Sequence, residues 1–142
     1  MTLIDSNVLI SYFNNRDKNH NSAIKILKKL DKEPYGELII SDYIFSEIVT
    51  VTLLKKKDKK IAIEAGNEIF KSKIKIIKVN NNLFNRTWSL FKISNLKMSF
   101  TDFTNLAIME LLKIQNIATF DKDFKKASNI NVSNINVLNV IN

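Results

Sequence analysis

The chain has 142 residues, 45% hydrophobic and 25% charged, with two glycines and one proline, which excludes a disordered or linker-rich polymer and predicts a single domain over 1–142. Zero cysteines remove disulfides, thiol nucleophiles and thiolate-bound metals, and with one histidine a Ser/His/Asp triad or poly-histidine zinc site is hard to assemble, so any catalysis falls to carboxylates. Twenty-two Lys+Arg against 14 Asp+Glu leave a net charge of +8, which favours a polyanionic partner such as nucleic acid or an acidic protein segment.

Residues 1–4 form an apolar run too short to stand alone and with no hairpin partner before it. Its natural place is inside a sheet covered on both faces, with Asp5 at its carboxyl end. Residues 6–13 predict a short helix with Val8, Leu9 and Tyr12 inward, broken by Asn14-Asn15-Arg16-Asp17. An amphipathic helix follows over 21–30, with Ala23, Ile26 and Leu30 on its apolar side and Lys25, Lys28 and Lys29 outside. Pro34-Tyr35-Gly36 is a turn before a second strand at 37–40, and Ser41 caps a helix that runs to about residue 57. The helix over 58–71 turns Ile61, Ala62, Ala65, Ile69 and Phe70 inward, and 73–79 is a third strand.

The turn at 80–82 opens a helix through Leu83, Phe84, Trp88, Leu90 and Phe91. Ser99 opens another, to about residue 115, on Phe103, Leu106, Ala107, Met109, Leu111 and Leu112. A fourth strand at 116–120, a helical turn over 121–127 and a last strand at 136–141 complete the chain. Strands separated by helices require crossover connections, so the expected fold is α/β, three layers, around a mostly parallel sheet of four to five strands. No apolar run approaches 18 residues and no basic, apolar leader is present, so a cytoplasmic protein without a membrane span is expected.

Four acids stand out. Asp5 ends the first strand, at the sheet edge where open α/β folds bind ligands. Glu47 has mainly apolar helical neighbours in Tyr43, Ile44, Thr50 and Val51, although a place at the rim beside a lysine explains it too. Asp102 completes a capping-box pattern with Ser99, and Asp121 sits where an Asx turn or a helix cap accounts for it. Carboxylates gathered in one crevice repel unless a cation holds them, and an all-oxygen set suits Mg²⁺ or Mn²⁺. Such an ion activates water and stabilises an in-line phosphoryl displacement.

At these residues the chain resembles the PIN-domain family, and within it the VapC-type ribonuclease toxins of type II toxin-antitoxin systems. The matching stretches are Ile4-Asp5-Ser6-Asn7-Val8-Leu9, Ser46-Glu47, Thr101-Asp102 with Ala107 following, and Ile117-Ala118-Thr119-Phe120-Asp121-Lys122-Asp123-Phe124. Each is weak alone; their order and spacing span almost the whole chain. The resemblance implies that Asp5, Glu47, Asp102 and Asp121 form the metal-binding acidic centre. Asn7 and Thr119 would support it by hydrogen bonding, and Asp123 would assist or face solvent. It implies a Mg²⁺- or Mn²⁺-dependent endoribonuclease with RNA as substrate, a homodimer, and a cognate antitoxin whose tail occupies the groove. Phe103 departs from the small residue many relatives carry after the acid, which bears on groove width. The alternatives are a non-catalytic PIN-like module that binds RNA or protein, and a PIN nuclease of RNA maturation or decay without an antitoxin.

The lysines of 55–60 and of 71–78 can hold an RNA backbone, or are ordinary solvated faces. Arg16 and Arg86 are the only arginines, so bidentate phosphate contacts are few. His20 reads as a surface or helix-start residue, and Tyr12, Phe45, Trp88 and Phe91 as core or dimer face rather than base-stacking platforms. A haloacid-dehalogenase-type phosphatase needs a second acid where Asn7 stands, and a receiver domain needs an acceptor aspartate where Asn80 follows Val79, so both are rejected.

Overall fold

The computed structural model describes residues 1–129 and 136–138. Five strands, β1 (Thr2–Ile4), β2 (Leu38–Ser41), β3 (Lys75–Ile77), β4 (Asn116–Ala118) and β5 (Asn136–Leu138), form one sheet in the order β3-β2-β1-β4-β5. Every pairing is parallel. The crossovers are helical: α1 (Ser6–Phe13) and α2 (His20–Lys32), then α3 (Asp42–Lys56) and α4 (Lys59–Lys71), then α5 (Asn81–Ile93) and α6 (Phe100–Leu112). A 3₁₀ segment, Lys122–Asn129, lies between β4 and β5.

The first strand is central, as its sequence predicts, and Thr2, Leu3 and Ile4 are all fully buried. Successive strand side chains point to opposite faces, so both faces of the sheet are covered and the architecture is a three-layer α/β/α fold. The core joins Leu3 and Ile4 to Val8, Ile44 and Ile48 of the helices and to Ile117 of the neighbouring strand. Gly36, at φ +75°, is needed at the entry to β2: a Cβ there would come within 2.6 Å of the Met1 nitrogen.

The capping chemistry sets the helix starts. Ser41 Oγ accepts from the Ile44 N–H, Asn80 from Leu83, and Ser99 from Asp102. α6 stops at Leu112, three residues short of expectation, because Lys113 turns left-handed at φ 53°. β3 is three residues rather than seven, and residues 139–141 of the expected last strand lie outside the described residues.

Several side chains expected inward are not. Phe70 is 67% exposed, and Leu111 and Leu112 are exposed as well. On α5 the core takes Leu83, Thr87 and Leu90, and Phe84, Trp88 and Phe91 fall on the next strip of the helix, about half exposed. Apolar residues on α5 span more than one helical face, and spacing alone does not say which strip meets the sheet. Phe103 corrects the reading of groove width: it is fully buried and edge-on to Phe91, so it packs the core and does not line a groove.

Candidate metal centre

The register sets the site. Ile4 pairs with Ala118, so Asp5 and Thr119 follow their strands side by side, and the Asp5 N–H donates to the Ala118 carbonyl at 2.9 Å. Asp5 is the N-cap of α1, which turns its carboxylate back over the helix start. Its Oδ1 accepts from the Ser6 N–H at 2.8 Å and from Asn105 Nδ2 at 3.3 Å. Its Oδ2 accepts from Asn7 Nδ2 at 2.8 Å and from the Thr119 hydroxyl at 2.7 Å.

The supporting groups are themselves held. Asn7 Oδ1 accepts from the Phe120 N–H at 3.1 Å, which settles the direction of the Asn7 amide. Thr119 Oγ1 accepts from Asn7 Nδ2 at 3.1 Å and from the Asp121 N–H at 3.0 Å, leaving its only proton for Asp5. Every donor to Asp5 is neutral. At 2% exposure the carboxylate has almost no water, and its pKa is pushed up to about 7. Burial is the main cause. The negative charges of Asp102 and Glu47 add to it, and the Thr119 and Ser6 hydrogen bonds work the other way.

Asp102 forms the predicted capping box: Oδ2 accepts from the Ser99 N–H at 3.0 Å and its own N–H donates to Ser99 Oγ at 3.1 Å. Oδ1 takes no hydrogen bond among the described residues. Burial again raises the carboxyl above the ordinary value, opposed by the Ser99 hydrogen bonds and reinforced by the charges of Asp121 and Glu47. Glu47 is half-buried on α3, without a hydrogen-bond or ion-pair partner among the described residues. Asp121 closes the expected Asx turn, its Oδ1 accepting from the Asp123 N–H at 2.8 Å. Asp123 pairs with Lys126 at 3.0 Å.

Asp5, Glu47, Asp102 and Asp121 thus share one electrostatic neighbourhood, in which Asp102 acts on Asp5 and is acted on by Asp121 and Glu47. They do not form a closed cage: among the described residues no three Asp, Glu, His or Cys side chains are gathered tightly enough to hold an ion. Mg²⁺ needs no such cage, since it is held by one or two carboxylates and keeps several waters. A buried carboxylate without a countercharge and an oxygen-only donor set fit a hard divalent cation. Asn105, one turn along α6 from Asp102, is the contact that sequence reading missed; its only signal is a lone amide in a mostly apolar run.

The PIN domain family profile matches residues 2–130. The chain belongs to the PIN-domain family. Its fold matches Mycobacterium tuberculosis VapC20, described as a sarcin-ricin loop cleaving toxin, at TM-score 0.78 and 23% identity over 89% of this chain and 95% of that one. It also matches a toxin-antitoxin complex from Klebsiella pneumoniae (TM-score 0.64, 21% identity, 98% and 97% covered). Rickettsia felis VapBC2 bound to a promoter DNA fragment matches at TM-score 0.64 and 16% identity, with 97% of both chains covered. No curated protein matches by sequence.

Elsewhere in this PIN domain the lysine runs are partly engaged. Lys55 lies 3.8 Å from Asp17, Lys56 donates to Asn15, Lys73 lies 3.9 Å from Asp31, and Lys75 pairs with Glu37. Lys59 and Lys60 are exposed at the start of α4. His20 begins α2 with its ring on the Ser11 carbonyl at 2.9 Å, so it is a helix-start residue. Between α3 and α4 a groove of about 330 Å³ is lined by Phe45, Val49, Leu53, Ala62, Ile63 and Phe70.

Proposed function

We propose that this chain is a metal-dependent endoribonuclease and the toxin of a toxin-antitoxin pair, working in the cytoplasm as a single domain. The observation that carries the reading is the Asp5 carboxylate, buried beside two further acids with only neutral donors around it. A buried charge without a partner is costly, and a bound Mg²⁺ or Mn²⁺ removes that cost.

Asp5, Glu47, Asp102 and Asp121 would form the acidic centre, one or two of them touching the ion directly and the others reaching it through its waters. When bound, the ion supplies Lewis-acid stabilisation and an activated water for phosphodiester hydrolysis. Asn7 and Thr119 fix the Asp5 carboxylate so that its oxygens keep one orientation. Asp102 uses one oxygen to cap α6 and offers the other to the centre. Asp123 donates its backbone N–H to the Asx turn and pairs with Lys126, at the edge of the centre. Exposed lysines such as Lys59 and Lys60 attract the RNA backbone. The apolar α3–α4 groove takes an antitoxin segment, and the exposed Trp88 and Phe91 strip is the homodimer face. No helix among the described residues is long and apolar enough to cross a membrane.

The lack of a closed cage favours a second reading, a non-catalytic PIN-like module that binds RNA or protein. One experiment separates the two: purified protein and purified Asp5→Asn are incubated with RNA, with Mn²⁺ or Mg²⁺ and with chelator, and the products are mapped by sequencing. Discrete cuts that need metal and Asp5 support the nuclease. Binding without cuts, or cuts that survive both chelator and Asp5→Asn, overturns it.

A further inference from the structure

Asn105 lies in the most deeply buried stretch of α6, where residues 103–108 are all 0% exposed. An amide here has to satisfy two donors and an acceptor, whereas a leucine of similar volume has nothing to satisfy. Its Nδ2 donates to Asp5 Oδ1 at 3.3 Å. That contact settles the direction of the amide, because a flip would set two acceptors against each other.

The consequence falls on the other end of the group. Asn105 Oδ1 is buried and has no hydrogen-bond partner among the described residues. The neighbouring Thr104 hydroxyl is already committed to the Phe100 carbonyl at 3.0 Å. One other buried polar atom among the described residues shares this condition, Thr52 Oγ1 on α3. A threonine hydroxyl can rotate to donate to the carbonyl one turn back in its own helix; the amide oxygen of Asn105 can only accept. What it lacks is a donor among the described residues, beside a carboxylate whose hydrogen-bond donors are all neutral.

We propose that Asn105 is a further residue of the ion centre, its Nδ2 positioning Asp5 and its Oδ1 accepting a hydrogen bond from a water of the cation's hydration shell. The proposal rests on the reading of Asp5 as a metal ligand. Waters around a small divalent cation are polarised by its charge and donate strongly, and Mg²⁺ gives up few of them to protein ligands. One planar amide thereby couples a ligand to the ion's own water, as outer-shell groups do in other metal sites.

The test uses metal-stripped full-length protein and Mn²⁺ as the probe. Affinity is measured by titration calorimetry, hydration of the bound ion by water-proton relaxation, and metal-free stability by thermal melting. Asn105→Leu is expected to weaken Mn²⁺ binding by about tenfold or more, the scale for losing an outer-shell partner. It should also alter the relaxation enhancement without lowering the metal-free melting temperature. Asn105→Ala decides the matter if the leucine does not fit, and is expected to lose the same affinity. Thr52→Val should bind as wild type does. Wild-type affinity and relaxation in either Asn105 variant overturns the proposal. If wild-type protein binds no Mn²⁺ and behaves as Asp5→Asn does, the Asp5 reading itself has failed and this one goes with it.

Discussion

Two carboxylates in this molecule are held in opposite ways. Glu110 on α6 receives both Nε and Nη2 of Arg86 on α5, each at 2.6 Å, and so carries its countercharge within the fold. Asp5, far more deeply buried, is surrounded by a backbone amide, two side-chain amides and a hydroxyl, and by no cation. The first arrangement joins two helices. The second orients a charge and leaves it unneutralised, which is unfavourable for stability alone and useful for capturing an ion.

The comparison breaks most visibly in activity. Asp5→Asn should lower RNA cleavage by on the order of 10³-fold, the scale of losing one preorganised electrostatic group, whereas Glu110→Gln should leave the cleavage rate unchanged; gel assays at saturating Mg²⁺ check both. Next is ligand stabilisation. Mg²⁺ at a hundred times its dissociation constant should stabilise wild type by about 2.7 kcal/mol, roughly 5–10 °C in melting temperature for a domain of this size. It should do the same for Glu110→Gln and nothing for Asp5→Asn. Differential scanning fluorimetry is sufficient.

The pH dependence sharpens the contrast further. With a folded-state pKa raised to about 7 from 3.8, Asp5 binds more protons in the native than in the unfolded protein between those values. Metal-free stability should therefore fall as pH rises from about 4 to about 7, by at most roughly 1.4 kcal/mol per unit from this group, and level off above. Asp5→Asn should lack that slope and match or exceed wild-type stability at pH 8, as urea denaturation across the range will reveal. The smallest effect belongs to the ion pair. Arg86 and Glu110 are 41% and 29% exposed, so Glu110→Gln should cost only about 1 kcal/mol in urea denaturation.

Much of this arrangement could be read from local chemistry. Asp5 follows an apolar run too short for anything but a buried strand, and Ser99 with Asp102 writes a capping box whose hydrogen bonds are both present. Side chains whose partners lie far along the chain were harder. Asn105 touches Asp5 across a separation of 100 residues, and a lone amide in its helix is all that marks it. Phe70, Leu111 and Leu112 misled because an apolar residue at helical spacing is attributed to the core by default. Here the helices carry a second apolar strip that the core does not use. Phe103 lies in the core, as its place on the apolar face of its helix predicts, so its departure from the small residue of many relatives does not bear on groove width.

The account stands on Asp5 as a charge built to receive a cation from outside the fold. Its most direct test is Mn²⁺ titration calorimetry on metal-stripped wild type and Asp5→Asn at pH 7, repeated in two buffers of different ionisation heat. The account predicts binding with partial proton release for wild type, loss of that release at pH 8.5, and little binding for Asp5→Asn. Equal Mn²⁺ affinity in the two proteins, or none in either, would contradict it.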